Sequence, residues 1–181
     1  MHANDTATDD RDDVAAGVSL WLMPPAAVRV ELTAVIRSLG MRYRTPAFEP
    51  HITLAGDIPP RGDMVAMADA LARRLTAFSV ELSAAAWGTS YFHAVFLPLV
   101  HDPSLHEAHS LANDMFGVSR HGTYAPHLSL VYGNLDRDTK SEIVAELSSM
   151  PWPSFVAVEL RLQETNGRPE VWTPIITIPL G

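Results

Sequence analysis

The sequence contains no cysteine, which excludes disulfide bonds, a cysteine nucleophile, thiolate zinc sites and cysteine-ligated iron–sulfur clusters. It also lacks an apolar run long enough to cross a bilayer, and residues 1–16 have neither the basic nor the apolar stretch of a signal peptide. The phosphate-loop pattern GxxxxGK[ST] is absent too, which argues against hydrolysis of nucleoside triphosphates. We therefore expect a cytoplasmic protein with no membrane partner.

Positive charge is scarce, because 13 Lys and Arg face 21 Asp and Glu, for a formal net charge of -8. A chain this acidic is a poor candidate for binding long nucleic acid through its phosphates, although one local phosphate site is compatible with it. Residues 1–16 contain five Asp, one Arg and no aromatic residue, so we expect a disordered acidic tail there. Residues 17–181 are expected to form a single domain.

Apolar periodicity and turn residues predict an alternation of strands and helices that runs through the chain twice. The first pass has a strand over 18–23, a helix over 28–39 stopped by Gly40, a strand over 51–54, a helix over 64–75 and hairpin strands over 78–87 and 91–100. The second has a helix over 103–116, a strand over 127–130, a helix over 136–147 and hairpin strands over 155–162 and 171–178.

The two passes also match in special residues. Pro50-His51 corresponds to Pro126-His127, and Met23-Pro24 corresponds to Leu97-Pro98. We therefore predict an internal duplication of roughly 76 residues, much longer than the repeats of solenoid proteins. The predicted fold class is α+β and bilobal, with two antiparallel sheets from the duplication facing each other across a pseudo-twofold cleft and the helices outside.

Histidine is comparatively plentiful, at 8 residues, and two histidines stand in closely similar contexts. Three His-x-Thr/Ser triplets occur, and roughly one is expected by chance in a chain of this composition. We interpret the triplet at His121 as the one expected by chance. The triplets at His51 and His127 share a longer pattern of proline, histidine, an aliphatic residue, Thr or Ser, and leucine. This pair is the strongest functional signal in the sequence.

The spacing within each triplet has a direct structural meaning, because residues i and i+2 of a strand point to the same face. His51 would project together with Thr53, and His127 together with Ser129. If the halves face each other, two imidazoles and two hydroxyls meet in one cleft. Two imidazoles can act as general base and general acid near neutral pH, and two hydroxyls can bind the oxygens of one phosphate. The pattern favours displacement at phosphorus without a metal.

The segments FEPHITL (48–54) and YAPHLSLVYG (124–133) resemble the paired motifs of the two-histidine (2H) phosphoesterase superfamily, and most of all its cyclic phosphodiesterase branch. The segment SLWLMP (19–24) resembles the first strand of that branch. The resemblance covers essentially residues 18–180. It implies a bilobal α+β fold and hydrolysis of ADP-ribose 1″,2″-cyclic phosphate or nucleoside 2′,3′-cyclic phosphates to a monophosphate ester.

The resemblance also implies roles for individual residues. His51 and His127 match the catalytic histidines, Thr53 and Ser129 match the phosphate-binding hydroxyls, and Tyr132 matches an aromatic residue that lines the substrate site. In this branch the second histidine is usually the base and the first the acid. This assigns His127 as base and His51 as acid, although a nearly symmetric pair does not fix the roles.

Other aromatic and histidine residues allow two interpretations each. Trp21 and Tyr91 are candidate substrate contacts, either stacking on a nucleobase or packing in the cleft wall. Phe48 and Tyr124 precede the two motifs and are interpreted as packing residues. A group of histidines at positions 101, 106 and 109 could suggest a metal, but no further ligand stands at a fitting spacing, so no metal and no cofactor are expected.

Three functions therefore remain open at the level of sequence. The favoured one is hydrolysis of small cyclic-phosphate nucleotides by a monomeric enzyme. Processing or ligation of RNA 2′,3′ ends is a second, against which the acidic charge argues. A nucleotide-binding module without catalysis is the third, against which the presence of both protonatable histidines argues.

Overall fold

A computed structural model describes residues 13–118 and 123–181. The strands in these two ranges are β1 (Val18–Met23), β2 (Ile52–Ile58), β3 (Phe78–Val80), β4 (Ala86–Trp87), β5 (Val95–Pro98), β6 (His127–Val131), β7 (Phe155–Ala157), β8 (Glu159–Glu164) and β9 (Thr173–Pro179). The α-helices of the described residues are α1 (Ala26–Tyr43), α2 (Met64–Ala72), α3 (Pro103–Phe116) and α4 (Arg137–Leu147). The 3₁₀ helices are Tyr91–His93 and Pro169–Val171. The predicted α+β class is confirmed.

Most of the strands form one large antiparallel sheet instead of the two facing sheets predicted. Its seven strands follow the order β4-β5-β6-β2-β1-β8-β9, and β3 and β7 form a separate two-stranded sheet. The prediction of two facing sheets is wrong because β2 and β6 pair edge to edge, with Ile52 opposite Leu128. Both histidine motifs therefore lie side by side in the middle of one sheet. The internal duplication stays a prediction.

The long strands predicted over 78–87 and 155–162 are each interrupted. In each case the first three residues leave the large sheet, and the two departing pieces pair with each other, Phe78 opposite Ala157 and Val80 opposite Phe155. This pairing joins positions more than seventy residues apart, so local periodicity carries no sign of it. The returning strand predicted over 91–100 also begins later, at Val95, because Tyr91–His93 forms a 3₁₀ turn.

The helix ends follow from their capping residues. Asp102 begins α3 by accepting a hydrogen bond from the backbone N–H of Ser104 at 2.9 Å, and Asp136 does the same for Thr139 at 2.9 Å at the start of α4. The predicted stop at Gly40 is wrong, since α1 continues to Tyr43 and ends at Arg44 in the left-handed conformation. Gly40 instead permits a close approach, because a Cβ there would lie 2.9 Å from the carbonyl oxygen of Thr45.

Alternation along the central strands separates a core face from a site face. Ile52, Leu54, Leu128 and Leu130 are at most 1% exposed, as the period of two predicts. They belong to one continuous apolar core with the buried residues of the helices. Helix α3 packs on β2, α1 on β6, α2 on β8 and β9, and α4 on β4 and β5. The intervening side chains of β2 and β6 point to the opposite face of the sheet, which is the site face.

The segment before β1 is ordered closer to the chain start than predicted. Ala15 and Gly167 exchange two backbone hydrogen bonds of 3.1 and 2.9 Å, and Asp13 forms an ion pair with Arg168 at 2.9 Å. Residues 13–16, part of the predicted disordered tail, are thus held against the β8–β9 turn. The rest of that predicted tail, residues 1–12, and the first two residues of the triplet at His121 lie outside the described residues. Within the described ranges, no helix has the length and apolar character needed to span a membrane.

Candidate active site

A cavity of about 280 Å³ opens on the site face of the large sheet. Its walls come from β1, β2, β6, the 3₁₀ turn before β5 and the segments around the β8–β9 turn. The lining residues are Val14, Ala15, Ser19, Trp21, His51, Thr53, Gly56, Asp57, Phe92, His93, His127, Ser129, Tyr132, Thr165 and Trp172. The structure therefore brings together six of the seven site residues singled out in the sequence. The exception is Tyr91.

His51 is a deeply buried imidazole held in one orientation. It is 6% exposed, and its ring stacks on Trp21 with centroids 3.6 Å apart and planes 10° apart. Its Nδ1 lies 2.7 Å from the backbone carbonyl oxygen of Glu49. The Glu49 carboxylate pairs with Arg161, which fixes the residue that supplies this carbonyl. Burial lowers the pKa of His51 to about 3, with a smaller lowering from His127 and Arg161.

His127 uses the same backbone arrangement in a more open setting. Its Nδ1 lies 2.9 Å from the carbonyl oxygen of Ala125, again two residues before the histidine. The ring is half-buried and contacts His93, with centroids 4.3 Å apart, and the edge of Phe96 at 5.3 Å. Burial lowers the pKa of His127 below its ordinary value.

The two carbonyl contacts determine which nitrogen of each ring is available for chemistry. A carbonyl oxygen only accepts, so Nδ1 carries the proton and donates in both His51 and His127. The neutral ring then presents an unprotonated Nε2 on its other side. Both rings line one cavity, so two basic nitrogens are available to the same bound group. This arrangement suits a pair of proton-transfer groups.

The two hydroxyls predicted beside the histidines reach the same cavity. Thr53 is the second residue of β2, two after His51, and lies opposite Trp21 of β1 in the sheet register. Ser129 is 5% exposed and donates its O–H to the backbone carbonyl of Phe92 at 3.2 Å. Both hydroxyls can bind an oxygen-rich ligand, but Ser129 must first turn its proton away from Phe92 to do so.

Tyr132 connects the end of the second motif to the first histidine. Its hydroxyl lies 3.4 Å from Nε2 of His51, and its ring stacks on Phe48 with centroids 3.8 Å apart. Burial raises the pKa of Tyr132, so the phenol stays protonated and can donate to the neutral His51. The packing role predicted for Phe48 is confirmed, and so is that of Tyr124, which stacks on His109 at 3.8 Å.

Of the two aromatic residues predicted to contact the substrate, Trp21 lines the cavity and Tyr91 does not. Trp21 lines the cavity, but the ring of His51 already stacks on it. Tyr91 does not line the cavity, contrary to the prediction, because the 3₁₀ turn points its neighbour Phe92 there instead. Tyr91 packs behind the wall, with its ring centroid 5.0 Å from that of Phe92 and 6.5 Å from that of Tyr132.

Several lining residues are not apparent from the sequence. Trp172 approaches Phe92 and Trp21 with centroids 5.9 Å away from each, and Ser19 and Thr165 share a hydrogen bond of 3.1 Å. Both Thr165 and Trp172 flank the Asn166-Gly167 turn, which the sequence predicts as a hairpin. Their position beside β1 depends on the pairing of β8 with β1, which no local pattern encodes.

The histidines near α3 are engaged in packing and helix contacts. Nδ1 of His106 lies 3.2 Å from the carbonyl oxygen of Asp102, and Nδ1 of His109 lies 2.6 Å from that of Leu54. Across residues 13–118 and 123–181, no three or more His, Asp or Glu side chains are grouped so that they could hold a metal ion.

Comparison with known sequences gives one family and one named relative. Residues 16–150 match the profile of the family described as cyclic phosphodiesterase-like protein. A cyclic phosphodiesterase of Arabidopsis thaliana is 28% identical over 153 residues, which cover 82% of this chain and 84% of that protein.

Solved structures share the same fold. LigT of E. coli in its apo form superposes with a TM-score of 0.60 at 16% identity, covering 92% of this chain and 98% of that chain. LigT has also been solved in complex with 3′-AMP, and that structure gives the same values. TT0787 of Thermus thermophilus gives a TM-score of 0.60 at 17% identity, covering 91% of this chain and 97% of that chain. At these identities the likeness shows the fold alone.

Proposed function

Because this chain belongs to the cyclic phosphodiesterase-like protein family, we propose that it hydrolyses small cyclic phosphodiesters to phosphate monoesters with His51 and His127 as its proton-transfer groups. One observation carries the proposal: two imidazoles, each with Nδ1 held by the carbonyl two residues earlier, present Nε2 to one cavity. Proton transfer by a base and an acid is the chemistry that opening such a ring requires.

The reaction proceeds by attack of water on phosphorus. One imidazole takes a proton from the water as the new P–O bond forms, and the other gives a proton to the ribose oxygen as the ring P–O bond breaks. The product is a phosphate monoester with one freed hydroxyl. Thr53 and Ser129 hydrogen-bond the non-bridging oxygens and stabilise the charge that they carry in the transition state. These steps use only the side chains described, so we propose that no metal is required.

The environments of the two histidines favour different roles. The reactive form has one neutral and one protonated imidazole. A proton on His51 is disfavoured more strongly, because His51 is the more deeply buried of the two and its pKa is lowered to about 3. We therefore assign His51 as the base and His127 as the acid, which reverses the roles that the resemblance implies. An anionic phosphate near His127 would raise its pKa and help it to hold the proton.

The substrate class follows from the cavity and from the relatives. A cavity of about 280 Å³ lies just below the usual range for ligand pockets, so it suits the ribose cyclic phosphate and leaves the rest of a larger nucleotide outside it. The relative from Arabidopsis is named a cyclic phosphodiesterase, and LigT binds 3′-AMP in one of its structures. We propose nucleoside 2′,3′-cyclic phosphates or ADP-ribose 1″,2″-cyclic phosphate as substrates.

The test is an assay of these cyclic phosphates by ³¹P NMR in the presence of EDTA. The wild-type protein should convert the cyclic phosphate signal into that of a monoester. His51→Ala and His127→Ala should each lower kcat by about 10²- to 10⁴-fold, the range for loss of a general acid or base. His101→Ala, at an exposed histidine outside the cavity, is the matched control and should keep full activity.

Each of the other results would overturn a different part of the proposal. Activity that survives either cavity substitution would remove that histidine from the mechanism, and loss of activity in EDTA would require a metal. Binding without turnover would indicate a nucleotide-binding module. Preference for RNA oligomers, with a rate that falls steeply as salt rises, would indicate RNA end processing.

A further inference from the structure

His93 lies at the edge of the cavity although it belongs to neither histidine motif. It ends the 3₁₀ helix Tyr91–His93, just before β5. Its ring stacks on Phe96 with centroids 3.6 Å apart and planes 17° apart, and its centroid is 4.3 Å from that of His127. The third imidazole is therefore packed directly beside one of the two proposed catalytic groups.

The position of His93 is closely confined by Gly88, the residue after β4. A Cβ added to Gly88 would lie 2.5 Å from the carbonyl oxygen of His93 and 2.8 Å from its Nδ1. Only a residue without a side chain fits there while His93 keeps this place. With Phe96 on one face and Gly88 at Nδ1, the ring has little freedom to reorient.

The other ring nitrogen of His93 has a different environment. Nε2 is buried and has no hydrogen-bond partner among the described residues. Several other buried side-chain nitrogen and oxygen atoms of the described residues also lack a hydrogen-bond partner. Among all of these atoms, Nε2 of His93 is the one whose residue lines the cavity. An unpaired buried polar atom is unfavourable, so a bound group that pairs with it gains binding free energy.

The hydroxyl on this side of the cavity is already engaged. Ser129 donates its O–H to the carbonyl of Phe92, the residue before His93. A phosphate that bound beside His127 would receive the proton of Ser129 only after that hydroxyl had turned away from Phe92, whereas Nε2 of His93 has no hydrogen bond to break. An N–H donor on His93 would supply a hydrogen bond on this side of the site without breaking another one.

We propose that His93 is a third phosphate-binding residue of this site, in addition to Thr53 and Ser129. It donates a hydrogen bond from Nε2 to an oxygen of the substrate's phosphate group beside His127. This inference rests on the proposed function, because it takes the phosphate to lie between the two catalytic histidines. Burial, and to a lesser degree His127, lower the pKa of His93 to about 4. The neutral ring can therefore donate without placing a second positive charge beside a protonated His127.

The kinetic test compares two substitutions of His93. His93→Phe keeps a flat ring against Phe96 but removes the donor, and His93→Gln places an amide N–H near the position of Nε2. We expect His93→Phe to lower kcat/KM on a nucleoside 2′,3′-cyclic phosphate about tenfold or more, mainly through KM, and His93→Gln to recover most of the loss. His101→Phe is the control and should match the wild type.

Two kinetic results would overturn the proposal. One is a kcat/KM within about twofold of the wild type in His93→Phe, since a lost hydrogen bond to an anion has a larger effect. The other is an equal loss in His93→Phe and His93→Gln together with an equally lowered Tm, which indicates a purely structural role.

A binding measurement separates this proposal from the proposed function. Inorganic phosphate is titrated into the wild-type protein while the imidazole nitrogens are followed by ¹⁵N NMR. The proposal predicts that Nε2 of His93 shifts with the same saturation curve as His51 and His127. If it shifts but no cyclic phosphate is hydrolysed, the binding role stands and the proposed function fails. If His93 does not respond while phosphate binds, or if phosphate perturbs none of the three rings, the proposal for His93 is overturned.

Discussion

The first and second histidine motifs share a backbone arrangement but place their imidazoles in different surroundings. In both, a proline stands between the histidine and the carbonyl that accepts from Nδ1. His51 lies between aromatic side chains and is 6% exposed, whereas His127 is half-buried and contacts another imidazole. The shared arrangement fixes the tautomer, and the different surroundings set how readily each ring accepts a proton. A nearly symmetric sequence pattern thereby produces two chemically distinct groups.

The largest change in the difference between the two histidines should come from Trp21→Ala. It removes the ring that stacks on His51 and admits water beside the imidazole, so the pKa of His51 should rise towards that of His127. Removal of a buried tryptophan should also lower the free energy of unfolding by about 3–5 kcal/mol. The pKa is measured by NMR titration and stability by urea unfolding. Trp87→Ala, outside the cavity, serves as control, and an unchanged pKa of His51 in Trp21→Ala would show that burial by Trp21 does not cause the asymmetry.

Acid should weaken the fold through His51 in particular. Its pKa is about 3 in the folded protein and about 6.5 in an unfolded chain, so between these values the unfolded state binds more protons. The free energy of unfolding should therefore fall as the pH decreases from about 6.5 towards about 3. In His51→Gln this fall should be shallower than in the wild type or in His101→Gln, as measured by urea unfolding over that pH range. Parallel curves for all three proteins would contradict the assigned burial effect.

A smaller effect is expected from Tyr132→Phe, which removes one hydroxyl and leaves the ring stacked on Phe48. The lost O–H donates to the neutral form of His51, so its removal should raise the pKa of His51, though less than Trp21→Ala does. The contact is long, at 3.4 Å, so kcat should fall by less than about tenfold. Steady-state kinetics with a matched Tyr91→Phe variant checks this, because Tyr91 lies behind the cavity wall. A larger loss of kcat in Tyr91→Phe than in Tyr132→Phe would contradict the assignment of Tyr132 as the residue that acts on His51 and of Tyr91 as a residue behind the wall.

The parts of the site that follow from short-range patterns could be predicted from the sequence. A strand has a period of two, so His51 had to share a face with Thr53, and His127 with Ser129, and all four line the cavity. The starts of α3 and α4, which lie close to the predicted positions, depend on adjacent capping residues in the same way.

The parts that depend on long-range pairing could not be predicted. The joining of both halves in one sheet rests on the contact of β2 with β6, and the place of Trp172 rests on the pairing of β8 with β1. His93 lies at the site because Tyr91–His93 forms a 3₁₀ helix, whereas the sequence pattern predicted a strand over 91–100. In the first two cases the deciding partner is distant in sequence, so a local pattern contains no information about it.

The division of roles between the two histidines is tested most directly with a substrate whose leaving group needs no proton. Thymidine 3′-(4-nitrophenyl phosphate) has no 2′-hydroxyl, so water is the nucleophile, and 4-nitrophenolate departs without an acid. Rates for His51→Ala and His127→Ala are compared with the wild type on this ester and on a nucleoside 2′,3′-cyclic phosphate. We expect His127→Ala to recover most of its activity on the nitrophenyl ester while His51→Ala stays inactive on both. Recovery in His51→Ala, or equal losses on both substrates in the two variants, would contradict it.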